Sequence, residues 1–120
     1  MEPIIDGCGF EIISLNALKT SHLNGSAKHR SEMCSLYIRE HAESFKIQKV
    51  EPPKIFQRYD LRLTVDNPED LVVCRHIYQA SSQHAPRIPL HEIVEFLDRN
   101  PELIRLVAPF AESGYKTMYL

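Results

Sequence analysis

The chain is short of the features that declare a specialised class. Its three cysteines, Cys8, Cys34 and Cys74, are odd in number and far apart. They suit neither a disulfide framework nor a zinc site, and fit a reducing compartment. The six histidines include no His-x-x-x-His pair, which weighs against a histidine-built metal centre. Net charge is only −2, with no long basic run, so no nucleic acid and no anionic membrane surface is expected as a partner. No apolar run is long enough to cross a bilayer. The opening MEPIIDGCGF has neither a basic n-region nor an apolar stretch, so no secretory signal is read there and a cytoplasmic location is expected. There is no internal repeat and no low-complexity tract. What remains is 120 residues, 43% hydrophobic and 25% charged. That allows one small domain over residues 1–120 with a modest core.

The most informative stretch is Tyr59–Tyr78, YDLRLTVDNPEDLVVCRHIY. Leu61, Leu63 and Val65 alternate with Arg62 and Thr64, the period-2 pattern of a half-buried strand. A helix start follows. Pro68 suits the first helical position, where its missing N–H is not needed. Asn67 is then the N-cap, and Glu69 and Asp70 place negative charge at the positive end of the helix dipole. Asp66 is surplus to capping. A carboxylate at the carboxyl end of a strand is where α/β proteins put ligand-handling groups; the same residues also suit a plain solvated turn.

Elsewhere, Phe10–Ile13 and Phe45–Val50 read as strands and Leu15 to about Ser21 as a helix with Asn16 as a possible cap. Ser31 and Glu32 suit the start of a further helix, with Met33, Leu36 and Tyr37 at i, i+3 and i+4 on its buried face. Glu32, Ser35 and Arg39 share another face, as an ion-pair ladder would. After Asp66, the helix carries Leu71, Cys74, Ile77 and Tyr78 on one side. Leu90, Ile93, Val94 and Leu97 mark an amphipathic helix that stops at Asn100-Pro101. Leu103 to Val107 adds a turn or two, ended by Pro109.

Three of these stretches resemble the later part of one enzyme family, in the correct order. RLTVDNPEDL is similar to the R-L-T-V-D-T-P-E-D-L segment of the cytidylyltransferases that activate sugars in bacteria, of acylneuraminate, CMP-KDO and spore-coat polysaccharide types. Arg30–His41 resembles R-S-E/H-x-x-x-x-Y-I-R-E-H, and Gly7–Ser14 followed by Ala17-Leu18 resembles a strand-to-helix entry, G-x-x-x-E-V-F-S then A-L. The resemblance implies an α/β fold, part of the Rossmann-like, GT-A-type nucleotide-diphospho-sugar transferase architecture, a mixed sheet flanked by helices. It implies that Asp66 is a ligand of a catalytic Mg2+ and that Arg30 and Glu32 face the sugar. A guanidinium suits a sugar carboxylate or phosphate because its planar fork meets two oxygens at once. Glu11 would be a further substrate-facing carboxylate, and equally suits a surface position; Gly9 stands where many members have an aspartate. Homodimers are typical of the family.

The resemblance covers only the back part of the family. Its basic, glycine-containing loop R-x-x-S-x-R-L-P-x-K, which cradles the triphosphate of CTP, has no counterpart here, nor has its first metal-binding acid. The expectation is therefore the sugar-binding and dimerising portion of an enzyme that makes a CMP-sugar and pyrophosphate from CTP and an acidic or modified sugar. The CTP-binding part would be absent or supplied as a separate N-terminal half, so stand-alone catalysis is not expected. A non-catalytic interaction module, or a remnant of such an enzyme, is the alternative.

Overall fold

The computed structural model describes the backbone over residues 4–118 and side chains over residues 4–111. Among these residues there are five α-helices, α1 (Leu15–Asn24), α2 (Leu36–Glu40), α3 (Pro68–Ala80), α4 (Leu90–Arg99) and α5 (Pro101–Met118), with short 3-10 turns between them. The chain divides into two compact units, Met1–Gly9 with Glu51–Leu120, and Phe10–Val50.

The larger unit is a packing of α3, α4 and α5 against one another. Val73 and Ile77 from α3, Val94 and Leu97 from α4, and Leu103 and Val107 from α5 join Ile5 and Leu61 in one buried cluster. The α4 periodicity predicts this well, since Val94 and Leu97 are buried with Leu90 and Ile93 packed beside them. The expected face of α3 is rotated. Asp70, Val73 and Ile77 point inward, while Leu71, Val72 and Tyr78 are exposed. Helix α5 also runs on through Pro109, where the sequence predicts an end. Proline there withholds one backbone donor and crowds the preceding turn, a cost carried by a helix whose Leu103, Val107 and Ala111 are buried.

The predicted mixed sheet of a Rossmann-like α/β fold is absent among the described residues. The segments read as strands at 10–13 and 45–50 are extended in sequence pattern only, with no ladder. Phe10, Ile12, Ile47 and Val50 are exposed. Residues 61–65 have a single parallel bridge, Asp6 to Arg62, made by Asp6 N–H to Leu61 O at 3.3 Å and Leu63 N–H to Asp6 O at 2.8 Å. The reason is physical. Alternation reports an extended segment with one apolar side, whereas a sheet needs neighbouring backbones to take up the N–H and C=O groups.

The Phe10–Val50 unit has α1 beside α2. Ser14, not Asn16, caps α1, its Oγ accepting the Ala17 N–H at 3.1 Å. Residues 31–35 turn rather than coil, with Ser31 Oγ accepting the Met33 N–H at 3.3 Å, so α2 begins only at Leu36. Tyr37 stacks on His41 with ring centroids 4.2 Å apart and meets His29 and Phe45 edge-on. None of its described apolar side chains is fully buried.

Gly7 is a point of close backbone approach in the larger unit. Its φ is +91°, and an added Cβ would stand 2.7 Å from Thr64 N and 2.8 Å from Leu63 C. Gly7→Ala is expected to lose about 2 kcal/mol or more, read as a lower urea midpoint with an unchanged slope.

Candidate functional site

The capping expectation at α3 holds and goes further than sequence shows. Asn67 is the N-cap, and Asp70 in the first turn reaches back to close a capping box, its Oδ2 accepting the Asn67 N–H at 2.9 Å. The same oxygen accepts the Asp66 N–H at 3.0 Å. Asp70 is only 2% exposed. A carboxylate buried this deeply needs a partner, and Arg62 supplies it through Nε to Oδ1 at 2.8 Å and Nη2 to Oδ2 at 3.1 Å. The Arg62 hydrogen bonds outweigh burial and hold the Asp70 carboxyl far below the usual carboxylate range. Hydrogen bonding to Asp70 likewise raises Arg62 above its ordinary value.

Arg62 gathers two more acids. Nη1 donates to Asp6 Oδ2 at 2.9 Å, and Nη2 to Asp66 Oδ2 at 3.1 Å. Asp6 also accepts from the Thr64 hydroxyl at 2.9 Å, and Arg62 Nη1 reaches the Phe110 carbonyl at 3.5 Å. Asp66, the expected metal ligand, is the exposed member, with 67% of its side chain accessible. Its Oδ1 has no hydrogen-bond partner among the described residues.

Three carboxylates facing one guanidinium leave a formal surplus of two negative charges. That surplus lies behind one carboxylate oxygen open to solvent; Mg2+, the ion the resemblance implies, usually keeps several waters. No group of three His, Cys, Asp or Glu side chains stands ready to enclose a metal among the described residues, so Asp66 would act as a single protein ligand.

The other expected residues lie in the Phe10–Val50 unit. Arg30 is exposed and lines an open groove of about 680 Å3 with Lys19, His22 and leucines of α1. Its Nη2 donates to the His22 carbonyl at 3.1 Å. Glu32 is exposed and has no hydrogen bond or ion pair among the described residues. Glu11 accepts from Arg39 Nη2 at 2.7 Å, so the arginine of the expected ladder turns to Glu11 instead of Glu32. Burial pushes the Glu11 carboxyl up, but hydrogen bonds from Ser35 and Arg39 prevail and lower it. Lys28 and His29 both hold Glu40, and these hydrogen bonds, Lys28 first, lower its carboxyl to about 2.

Sequence reasoning did not single out Arg62, Asp6 and Asp70. The alternation places Arg62 on the polar side of its segment, yet both Leu61 and Arg62 are buried, at 1% and 5% exposure. The one available signal was the three acids Asp66, Glu69 and Asp70 closely following Arg62.

No family model matches the chain, and no solved structure does. The chain is similar to two curated proteins. It is 28% identical over 115 residues to the uncharacterized protein MJ1063 of Methanocaldococcus jannaschii, covering 94% of this chain and 46% of that protein. It is 31% identical over 96 residues to the spore coat polysaccharide biosynthesis protein SpsF of Bacillus subtilis, covering 79% of this chain and 39% of that protein. The chain is thus a distant, partial homologue of a polysaccharide biosynthesis protein and spans less than half the length of either relative. No helix of the described residues is long and apolar enough to cross a membrane.

Removing one partner of a buried pair strands the other. Asp70→Ala is expected to lose about 3 kcal/mol or more, and Asp66→Ala less than about 1 kcal/mol, by urea unfolding. Because the folded Asp70 carboxyl is depressed, its contribution is complete above the unfolded value near pH 4 and fades as pH falls below that. The stability difference between parent and Asp70→Asn, followed from pH 7 to pH 2, should shrink at the acid end.

Proposed function

We propose that the chain is the sugar-binding and dimerising part of a cytidylyltransferase, an enzyme that joins CTP and an acidic or modified sugar into a CMP-sugar and pyrophosphate. The observation that carries the proposal is Asp66, held at the start of α3 with one free carboxylate oxygen and a surplus of negative charge behind it. The partial homology to the spore coat polysaccharide biosynthesis protein supports it, as does the chain's covering less than half of that protein.

In this reading Asp66 binds Mg2+, which neutralises charge developing on the transferring phosphoryl group. Arg30, exposed in the lining of the groove, holds the sugar's carboxylate. Glu32 accepts from sugar hydroxyls, and Glu11 fixes Arg39 beside them. The triphosphate is held by a further stretch of protein carrying the basic loop, since in-line transfer demands that nucleotide and sugar be placed together.

The exposed apolar side chains of the Phe10–Val50 unit, Phe10, Ile12 and Leu23 among them, favour a second reading in which the chain is a non-catalytic interaction module. The two differ at Asp66.

Water-proton relaxation with Mn2+ as the probe is expected to show binding by the parent chain and none by Asp66→Ala, with the variant still folded. Equal binding by the variant would remove Asp66 from the site and leave the module reading. Calorimetric titration of CTP with Mg2+ is expected to give no nucleotide binding by this chain alone; a strong heat lost in Asp66→Ala would instead assign the nucleotide site to it.

A further inference from the structure

We propose that the groove along α1 binds a small amphiphile with an oxyanion head and an aliphatic body. The inference shares Arg30 with the proposed function but rests on the groove alone, and asks nothing of Asp66, Mg2+ or CTP. The groove holds about 680 Å3, within the roughly 300–1,000 Å3 usual for small-ligand clefts. Leu15, Leu18 and Leu23 of α1 line it, and they are 64%, 42% and 79% exposed. Single exposed leucines are ordinary, but three gathered along one groove leave apolar area in water that a ligand would cover. The charged groups of the groove are of one sign. Lys19 and Arg30 line it, and no acid is among its lining residues. Neither cation has a carboxylate partner among the described residues, whereas in the same unit Lys28 is paired with Glu40 and Arg39 with Glu11. His29 also lines the groove, but both its ring nitrogens are engaged, Nδ1 by the Ser26 N–H at 2.7 Å and Nε2 by Glu40 at 2.7 Å. Arg30 is tied to the wall it serves, its Nη2 donating to the His22 carbonyl in the last turn of α1 at 3.1 Å. The complement of leucines beside unpaired cations is an aliphatic chain with a negative head, whose two oxygens suit the planar guanidinium.

The test is calorimetric titration of decanoate into the full chain, below the concentration at which decanoate forms micelles, with octanoate and decyltrimethylammonium for comparison. Expected are binding of decanoate, binding of octanoate about tenfold weaker for its two missing methylenes, and none of the cationic amphiphile. Leu18→Ser and Arg30→Gln should each weaken decanoate about tenfold, while Leu71→Ser, on α3, binds like the parent. Lys19→Gln changes an exposed side chain and should lose affinity several-fold; it carries the test if thermal unfolding shows that Arg30→Gln does not fold. Equal affinity for the two head groups overturns the proposal. So does parent-like binding in both Lys19→Gln and a folded Arg30→Gln, or an equal loss in Leu71→Ser. Absence of decanoate binding overturns it as well, and two further measurements then name the occupant. A dimer in sedimentation that Leu18→Asp dissociates assigns the groove to a second copy of the chain, and binding to phosphatidylglycerol vesicles lost in the same variant assigns it to a membrane surface. None of these failures touches the sugar reading of Arg30, which needs no aliphatic chain, and failure of Mn2+ binding at Asp66 leaves the groove as it stands.

Discussion

The larger unit turns on one charged contact, the fork of Arg62 against the buried carboxylate of Asp70. Both groups leave water only because each satisfies the other; alone, either costs several kcal/mol to bury. Everything near the start of α3 follows from that pairing. Asp70 has oxygens left to hold two backbone N–H groups, so the turn at Asp66-Asn67 is closed. Arg62 has donors left for Asp6 and Asp66, so the amino-terminal segment and the tip of the turn are drawn to the same point. Around this polar knot the apolar faces of α3, α4 and α5 supply the bulk of the burial.

The site inherits its character from the same contact. Asp66 is exposed, yet its direction is not free, because the atom it leans on is itself pinned. A carboxylate set up this way combines access to solvent with a fixed hydrogen-bond partner. The groove beside Arg30 has the opposite polarity, with lysine, arginine and histidine around leucine walls.

How much of this could be read from sequence depended on the range of the interaction. The cap at Asn67, the proline at the first helical position and the Leu90–Leu97 face are local, and local spacing predicts them. The mixed sheet was not found, because alternation at 10–13, 45–50 and 61–65 describes side chains whereas pairing is a matter of distant backbones. Arg62 was misplaced for a related reason: its neighbours in sequence argue for the polar side, and its true partners include residues 6 and 110. The outward Leu71 and Tyr78 show the same limit, since a buried aspartate at position 70 swung the helix face that an apolar count would have turned inward. At Glu11, Arg30 and Glu32 the sequence pattern located exposed polar groups without revealing that Arg39 would engage the first of them.

The reach of Arg62 along the chain also bears on the order of assembly. Its partner Asp70 is 8 residues away, Phe110 is 48 and Asp6 is 56. The short loop closes at small entropic cost and the long ones later. Loop entropy alone thus favours the Arg62–Asp70 contact over those to Phe110 and Asp6. The most deeply buried charges among the described residues are therefore joined by a local contact and covered by distant parts of the chain.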